Sequence, residues 1–512
     1  MIMKFLRFFK GRLAVIGLLI VIQFIVFFAL VVRLSEYTPL VYISFVVFSF
    51  IVAGYVMTKD DNPSYKTLWL VIILAVPLFG GLCYFLFGNK RLPKRVRAAA
   101  TVFNSNSLSN TVRDPGILVD LAEEDMDLAR IAKYLDTTGG FPVWSNTEAR
   151  YFSLGEHKYF AMLEELEKAR SYILLEYFII HEGQMWDSIH ELLKEKLAAG
   201  VDIYIIYDDM GCISTLPSNY ADILRAEGFK VVVFNPFKPH LSPVMNYRDH
   251  RKILVIDGLT AFTGGINLAD EYINKKKRFG HWKDSAVMIK GDAVWNLVDA
   301  FFKLWNFAIP ARDKKVDISR YRGTIARRNP DGYVQPFSDS PLDNENVSEN
   351  LFLNIINKAI DYVYITTPYL VIDYEMQTAL CLAAKNGVDV RIITPGIPDK
   401  KTVFQVTRSF YLPLIEAGVK IYEYTPGFIH GKNMVSDDKV AMVGTVNLDY
   451  RSFYFHFECG VAFYNGSIVS RVKKDLEDTM SISQEISLAK ARDVALPQRL
   501  VRAMLRLVAP LM

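Results

Sequence analysis

The hydrophobic positions of the chain are distributed in two ways, and the first is confined to the N-terminus. Before residue 90 they form three runs without a charged residue, at 13–32, 38–57 and 67–87. Each has about the 20 residues that a helix needs to cross the hydrocarbon core of a bilayer. A cleaved signal peptide is the alternative for the first run, but this run is longer than the apolar region of such peptides and shows no small-residue cleavage site. The pattern predicts a membrane region over residues 1–97 with two or three transmembrane segments.

Positive charges flank this region and bear on its topology. Basic residues precede the first run and follow the third: Lys4, Arg7, Lys10, Arg12, Lys90, Arg91, Lys94, Arg95 and Arg97. Both ends therefore favour the cytoplasm, whereas three complete spans would place them on opposite sides. The third run contains Pro77, Gly80 and Gly81, so it is the better candidate for a kinked or re-entrant segment. We expect a multi-pass protein of the cell membrane with its catalytic region on the cytoplasmic side.

Beyond residue 97 the apolar residues form short β-rich runs that alternate with helical stretches, and this series occurs twice. "LLEYFII" (174–180) resembles "ITTPYLVI" (365–372), and "LRAEGFKVVVFNP" (224–236) aligns without a gap with "LIEAGVKIYEYTP" (414–426). The last two segments are each a helix end closed by glycine and followed by a strand. Alternation of this kind is typical of α/β folds. We expect two pseudo-symmetric halves, each a mixed β-sheet flanked by helices, facing each other in one globular unit.

The repeat also sets the expected boundaries along the chain. We expect a linker and lead-in at 98–135, a first half at 136–330, a second half at 331–484 and an amphipathic helix at 485–512. In this last segment apolar residues recur at helical spacing while arginines lie elsewhere on the helix: Leu500, Ala503, Met504, Leu507, Val508 and Leu511 against Arg499, Arg502 and Arg506. Such a helix lies on an anionic membrane or docks on the globular core.

Both halves carry the same polar triplet, H-x-K-x4-D. The triplets are His250, Lys252 and Asp257 in "HRKILVID" and His430, Lys432 and Asp437 in "HGKNMVSD". The His and Lys of a triplet lie two residues apart on a predicted strand, so their side chains share a face. Each Asp lies at the turn to a returning strand, where an aspartate often bonds local backbone. Two similar halves can place both His-Lys faces in one cleft.

Such a cleft suits phosphoryl transfer. Lysines supply positive charge and donors for phosphate oxygens. One histidine can attack phosphorus to form a phosphohistidine, while the other protonates the departing alkoxide and later activates the incoming hydroxyl. The lysines neutralise the developing charge, so the sequence predicts no metal and no cofactor.

Further candidate residues follow each triplet at similar distances. Asn267 and Asn447 each lie 17 residues after their histidine and are candidate phosphate donors, with a turn or capping role as the alternative. Asp284 and Glu458 lie 34 and 28 residues after the histidine of their own half. Each could accept a hydrogen bond from that imidazole and fix its tautomer, with a solvated carboxylate as the alternative.

Overall composition narrows the class of protein only slightly. The chain has 512 residues, of which 51% are hydrophobic, and a formal net charge of +4, which does not indicate nucleic acid as a partner. Four cysteines are scattered without metal-ligand or disulfide spacing: Cys83, Cys212, Cys381 and Cys459. This usage is typical of isolated thiols in a reducing compartment.

The motifs resemble those of the phospholipase D superfamily, whose members carry two such HKD triplets, and are most similar to its bacterial cardiolipin synthases. The resemblance runs from about residue 62 to the C-terminus and includes "NPSYKTLWLVIILAVPLFGGLCYFLFG", "GGINLADEY" and "GTVNLDYRSF". It implies that one phosphatidylglycerol donates its phosphatidyl group to the enzyme with release of glycerol, and that a second attacks to give cardiolipin. It also implies His250 as nucleophile and His430 as acid/base, an order that the symmetry of the repeats leaves open. The implied partners are phosphatidylglycerol, other anionic phospholipids and the membrane, with no nucleic acid.

Other functions remain compatible with the triplets. A lipid hydrolase differs only in whether water or a lipid hydroxyl reaches the intermediate. A nuclease would more naturally be soluble with a broad basic groove. A non-catalytic membrane tether predicts decay of one triplet, yet both are complete.

Overall fold

The structure is a computed structural model that describes residues 39–88, 113–237, 243–309, 315–323 and 331–511, with scattered positions at 21–33 and 97–103 and residue 313. The first apolar run, most of the flanking basic residues and the polar stretch at 104–111 fall largely or wholly outside these residues. The strands in chain order are β1 Thr147–Phe152, β2 Tyr172–Tyr177, β3 Asp202–Asp208, β4 Lys230–Phe234, β5 Arg248–Asp249, β6 Lys252–Ile256, β7 Thr260–Gly264, β8 His281–Lys283, β9 Ala286–Gly291, β10 Tyr333–Asp339, β11 Tyr362–Thr366, β12 Leu370–Val371, β13 Asp389–Pro395, β14 Lys420–Tyr424, β15 Gly427–Ile429, β16 Asn433–Ser436, β17 Val440–Gly444, β18 Leu448–Asp449, β19 His456–Tyr464 and β20 Gln484–Glu485.

Helices flank these strands. Their bounds are Pro39–Met57, Pro63–Ala75, Phe79–Cys83, Pro115–Glu124, Met126–Thr137, Gly155–Leu166, Gln184–Ala198, Asp209–Cys212, Tyr220–Ala226, Val294–Ala308, Val347–Lys358, Tyr374–Lys385, Lys401–Ser409, Tyr411–Glu416, Tyr450–Tyr454, Ser467–Ser481, Leu488–Arg492 and Leu496–Val508, with a π-helical turn at Tyr84–Gly88 and 3₁₀ turns at Pro243–Asn246, Asp270–Ile273, Ile318–Tyr321 and Ala509–Leu511.

The two large sheets have the same topology. The first has the strand order β1-β9-β7-β6-β2-β3-β4, and the second runs β10-β19-β17-β16-β11-β13-β14 with β20 added at its edge. In each sheet three strands joined by helices are parallel and the remaining strands of the repeat are antiparallel. The predicted mixed α/β fold with two sheets is therefore confirmed.

The hairpins that carry the triplets turn as their sequences predict. Asp257 and Gly258 have φ of 53° and 66°, and Asp437 and Asp438 have φ of 53° and 55°. Positive φ is what tight hairpin turns require, and Gly, Asp and Asn tolerate it best. Helix Val294–Ala308 is buried along most of its length and contacts strands of both sheets, β6 and β10 among them, so one core joins the halves.

The membrane region differs from a simple series of spans. Among the described residues, helix Pro39–Met57 is the one long and apolar enough to cross a bilayer. The third apolar run is broken near Pro77, where Leu78 has a φ of 64°, and the chain then doubles back. The Tyr65 hydroxyl donates to the Gly88 carbonyl oxygen at 3.0 Å, so both ends of the run lie together. The run is a helical hairpin, as its proline and glycines indicate.

Candidate active site

His250 is positioned by a short strand that leaves its own sheet. β5 pairs in parallel with the start of β19, with Arg248 opposite His456 and Asp249 opposite Phe457. The His250 N–H donates to the Phe457 carbonyl oxygen at 2.9 Å. One position further along this register lies Glu458, and both of its carboxylate oxygens are 3.0 Å from Nδ1 of His250.

His430 is positioned in the same way from the other half. β15 pairs in parallel with β8, with Ile429 opposite Lys283, and the His430 N–H donates to the Lys283 carbonyl oxygen at 2.6 Å. The next residue after Lys283 is Asp284, whose Oδ2 lies 2.6 Å from Nδ1 of His430. Both carboxylates are buried.

The carboxylates are therefore exchanged between the halves, which corrects the sequence-based pairing. That pairing placed Asp284 beside His250 and Glu458 beside His430, each within its own half. It is wrong because the strand leading to each carboxylate pairs with the strand that leads to the histidine of the other half. The exchange brings the two histidines into one site.

The surroundings of both histidines keep the imidazoles neutral. Burial, reinforced by the charges of Lys252 and Lys432, holds the pKa of His250 well below its usual range. Burial also lowers the pKa of His430 to about 4, with Lys432 lowering it further and Asp284 opposing the shift. At neutral pH each ring thus has one nitrogen free of a proton. Since Nδ1 faces a carboxylate acceptor, the proton is on Nδ1 and the basic nitrogen is Nε2.

The two lysines are buried cations that lack carboxylate partners. Each ammonium donates to the carbonyl oxygen of the histidine in its own triplet, and neither takes part in an ion pair among the described residues. Burial lowers the pKa of Lys252 to about 8, opposed mainly by Glu458, and that of Lys432 to about 7, opposed mainly by Asp284. An ammonium retains donors beyond its one backbone contact, and these suit the oxygens of a phosphate.

The aspartates of the triplets lie outside this cluster of charges and hold backbone instead. Asp257 accepts hydrogen bonds at 2.7–2.9 Å from three successive N–H groups, those of residues 170–172, just before β2. Asp437 does the same at 2.7–3.0 Å for residues 360–362, just before β11. Each aspartate thus holds the start of a neighbouring strand, β2 for Asp257 and β11 for Asp437, beside the strand that follows its own histidine.

The two candidate asparagines have different environments. Both amide atoms of Asn267 are occupied, because Oδ1 accepts from the Ile179 N–H at 3.0 Å and Nδ2 donates to the Tyr272 hydroxyl at 2.7 Å. These contacts correspond to the turn or capping alternative. Asn447 is also buried, but its Oδ1 has no hydrogen-bond partner among the residues that the structure describes, so its side chain is the better candidate for a substrate contact.

Sequence reasoning missed two further polar residues at this site. His456 lies two residues before Glu458 on β19, its ring centroid is 5.5 Å from that of His250, and burial lowers its pKa to about 3. The i, i+2 spacing to Glu458 was a usable signal. Lys158 is fully buried, donates to the Ile266 carbonyl oxygen at 3.2 Å, and has a pKa lowered to about 7 by burial. No motif marked Lys158.

One group of side chains has the donor set of a metal site. His250, His456 and Glu458 offer ligand atoms that all lie within 4.8 Å of one another. Imidazole and carboxylate ligands suit zinc and similar ions. However, the positive charges of Lys252 and Lys432 act on His250, and the same charges would repel a metal cation at this position.

Comparison with known proteins places these residues in a recognised sequence family. A family model described as "Cardiolipin synthase, PLD-like domain" matches residues 162–305 and 352–480, and one described as "Phospholipase_D-nuclease N-terminal" matches residues 44–89. An uncharacterized protein of Streptococcus mutans is 43% identical over 87% of this chain and 96% of its own length. Cardiolipin synthases of Geobacillus kaustophilus and Alkalihalophilus pseudofirmus are 34% and 32% identical, over 90% and 91% of this chain and 91% and 92% of their own lengths.

A solved structure shares the fold. The crystal structure of phosphatidylserine synthase from Haemophilus influenzae matches with a TM-score of 0.56 and covers 75% of this chain and 99% of its own. The two sequences are 15% identical. This likeness concerns the fold alone.

Proposed function

Since the chain belongs to the cardiolipin synthase family with phospholipase D-like domains, we propose that it transfers a phosphatidyl group from one phosphatidylglycerol to another, giving cardiolipin and glycerol. The observation that carries the proposal is the pair of crossed histidine–carboxylate bonds beside two buried lysines that form no ion pair within the described part of the chain. This arrangement provides a nucleophile, an acid/base and a cationic phosphate cradle in one site. The named relatives act as precedent for the lipid substrate.

The first half-reaction uses the neutral state of His250. Its Nε2 lone pair attacks phosphorus, a P–N bond forms, and the P–O bond to the glycerol headgroup breaks. His430 as imidazolium donates its Nε2 proton to the departing oxygen, so glycerol leaves neutral. Lys252 and Lys432 offset the charge that develops on the phosphoryl oxygens. An anionic substrate raises the pKa of the nearby imidazole, which favours uptake of this proton on binding.

The second half-reaction returns the enzyme to its starting state. Neutral His430 takes the proton of the free hydroxyl of a second phosphatidylglycerol. The resulting oxygen attacks phosphorus, the P–N bond to His250 breaks, and cardiolipin leaves. Glu458 and Asp284 hold the rings in the required tautomer throughout. The carboxylate of Asp284 lies closer to His430 than that of Glu458 lies to His250, at 2.6 Å against 3.0 Å. Because a closer carboxylate stabilises an imidazolium better, this difference supports His430 as the histidine that carries the proton and His250 as the nucleophile.

We also propose a multi-pass membrane position with the active site on the cytoplasmic side. An even number of complete spans before the hairpin at residues 63–88 would leave both basic flanks on one side. Asn62, at the start of this hairpin, donates through Nδ2 to Asp373 and to the Tyr454 hydroxyl at 3.0 Å, which ties the hairpin to the second half. The proposed partners are phosphatidylglycerol and other anionic phospholipids.

The deciding experiment uses the full chain in mixed micelles of detergent and phosphatidylglycerol, with EDTA present. Wild type should form cardiolipin and free glycerol in equal amounts, and His250→Ala and His430→Ala should form neither. Phosphatidic acid in place of cardiolipin would instead make the protein a hydrolase. Absence of any turnover would favour a non-catalytic tether.

A further inference from the structure

The C-terminal helix docks on the protein in the opposite orientation to most surface helices. Two arginines face inward beside Leu505, which packs against the core of the second half. Arg502 donates to Gln405 Oε1 at 3.1 Å, and the Arg506 guanidinium donates to Gln377 Oε1 and lies 4.1 Å from the centroid of the Phe410 ring. Arg502 and Arg506 therefore hold helix Leu496–Val508 against the second half, whereas the exposed Arg499 donates to the Arg492 carbonyl oxygen within the C-terminal segment.

The apolar side of the same helix faces outward. The exposed residues are Leu496 (70%), Leu500 (59%), Val501 (51%), Met504 (73%), Leu507 (41%) and Leu511 (44%). At 3.6 residues per turn they fall within an arc of about 140°. A helix of a globular protein buries such a stripe, and a contiguous apolar patch of this kind marks an interaction surface.

The neighbours of the helix indicate what covers this surface. Helix Leu496–Val508 and the turn Ala509–Leu511 both contact helix Pro63–Ala75, which in turn packs against the candidate span Pro39–Met57. Helix Pro63–Ala75 itself exposes Val71 and Leu74, at 45% and 46%. The C-terminal helix thus lies against a helix that exposes apolar side chains and packs on the candidate membrane span.

We propose that helix Leu496–Val508 lies in the interface of the bilayer, parallel to its plane, with the outward apolar face against the acyl chains. The occupant of the surface is lipid because this helix contacts helix Pro63–Ala75, which packs against the candidate membrane span. An amphipathic helix with this distribution inserts at the boundary of headgroups and chains. The helix is then a membrane contact separate from the N-terminal segment.

This orientation would bring the active site close to its substrate. The C-terminal helix packs on helix Lys401–Ser409, and the residue before that helix, Lys400, acts electrostatically on His250. The contact would place this side of the cleft near the headgroups. This consequence for catalysis rests on the proposed lipid substrate, whereas the position of the helix does not.

The position can be measured without turnover. Full-length Met504→Cys and Arg499→Cys variants, each also made with His250→Ala, are labelled with an environment-sensitive fluorophore and reconstituted into phosphatidylglycerol–phosphatidylcholine vesicles. Wild type labelled in parallel corrects for the four native cysteines. We expect brominated acyl chains to quench the probe at 504 and not that at 499, because residue 499 lies on the polar side. Equal quenching of both probes by aqueous iodide would overturn the proposal, and so would disulfide cross-linking through residue 504 of two copies.

A second measurement tests the effect on activity. Leu500→Asp combined with Met504→Asp should reduce cardiolipin formation on vesicles diluted with phosphatidylcholine by at least about tenfold, since two apolar side chains lose their contact with lipid. Turnover of a soluble chromogenic phosphodiester should be unchanged, which also shows that the variant folds. Val119→Asp, at another exposed apolar position, is the matched control. Wild-type activity of the double variant would contradict the proposal. Failure of wild type to make cardiolipin would reject the proposed function and leave the quenching result intact.

Discussion

Each histidine is hydrogen-bonded to a carboxylate of the other half, so the role of His430 should depend on Asp284 and that of His250 on Glu458. Asp284→Asn and Glu458→Gln keep side-chain size and remove the charge. The bonds are 2.6 Å and 3.0 Å long and buried, and a hydrogen bond to a charged group contributes about 1.5–3 kcal/mol, or about 10- to 150-fold in rate. In the Ser-His-Asp triad an amide at this position also imposes the wrong tautomer and costs about 10⁴-fold. We therefore expect each variant to slow phosphatidyl transfer by about 10²- to 10⁴-fold.

The two variants become distinguishable when the leaving group no longer needs a proton. A phosphodiester that releases p-nitrophenolate has such a leaving group, while a glycerol alkoxide does not. With His430 as the general acid, His430→Ala should recover much of its first-step rate on the chromogenic substrate, and Asp284→Asn should recover with it. His250→Ala and Glu458→Gln should remain inactive on both substrates. The measurements are burst rates of p-nitrophenolate and rates of glycerol release.

Two departures from this result would mean different things. Recovery of His250→Ala and Glu458→Gln together, with His430→Ala and Asp284→Asn inactive, would reverse the order of the histidines and preserve the crossed pairing. Recovery of Glu458→Gln together with His430→Ala would refute the pairing itself. In that case each carboxylate would serve the histidine of its own half, contrary to the observed contacts.

Three further predictions concern stability, pH and the membrane hairpin. Asp437→Ala removes the acceptor for three backbone N–H groups, so the melting temperature measured by calorimetry should fall by about 5–10 °C. Unchanged stability with lost activity would instead mean that Asp437 takes part in catalysis. The pKa values of about 8 for Lys252 and about 7 for Lys432 mean that both lysines are charged at lower pH and lose their charge as pH rises. The value of kcat/KM on the soluble diester should therefore fall through this range. A flat profile to about pH 9.5 would contradict a role of the two lysines in binding phosphate. Gly80→Val places a Cβ 2.3 Å from a carbonyl oxygen of the preceding helix and should destabilise the hairpin, so the melting temperature in detergent should fall. Gly54→Val, whose Cβ would meet no atom of another described segment within 4 Å, should leave the melting temperature unchanged.

Much of the fold follows from local sequence. The repeated strand–helix–strand segments, the turns at Asp257 and Asp437, and the break near Pro77 depend on hydrophobic periodicity and turn chemistry within a few residues. Repetition adds a second copy of the same evidence, which is why the two sheets were predictable as a pair. The hairpin of the third run was predictable because proline and two glycines interrupt an otherwise helical pattern.

The site itself was predictable only in part. The triplets are visible as motifs, but the partner of each histidine is set by strand pairing between residues 208 and 146 positions apart, for Glu458 and Asp284 respectively. No local pattern encodes the register of β5 on β19 or of β15 on β8. Lys158 was missed for the same reason, since its position beside the site depends on how a helix packs on the sheet. Asn267 was misleading because a buried amide serves turns and phosphates equally well.

The halves differ in sequence beside the two carboxylates, and this difference bears on the order of the chemistry. A Cβ at Gly265 would lie 2.1 Å from Oδ1 of Asp284, so only glycine leaves room for this carboxylate. The equivalent residue of the second half is Thr445, whose hydroxyl donates to Oε2 of Glu458. One oxygen of Glu458 is thus shared between the threonine and His250, whereas Oδ2 of Asp284 faces His430 while Oδ1 accepts from the backbone of residue 285. A carboxylate oxygen that is not shared with another donor stabilises an imidazolium more strongly. The Gly-to-Thr difference therefore supports the proposed order, in which His430 carries the proton and His250 attacks phosphorus.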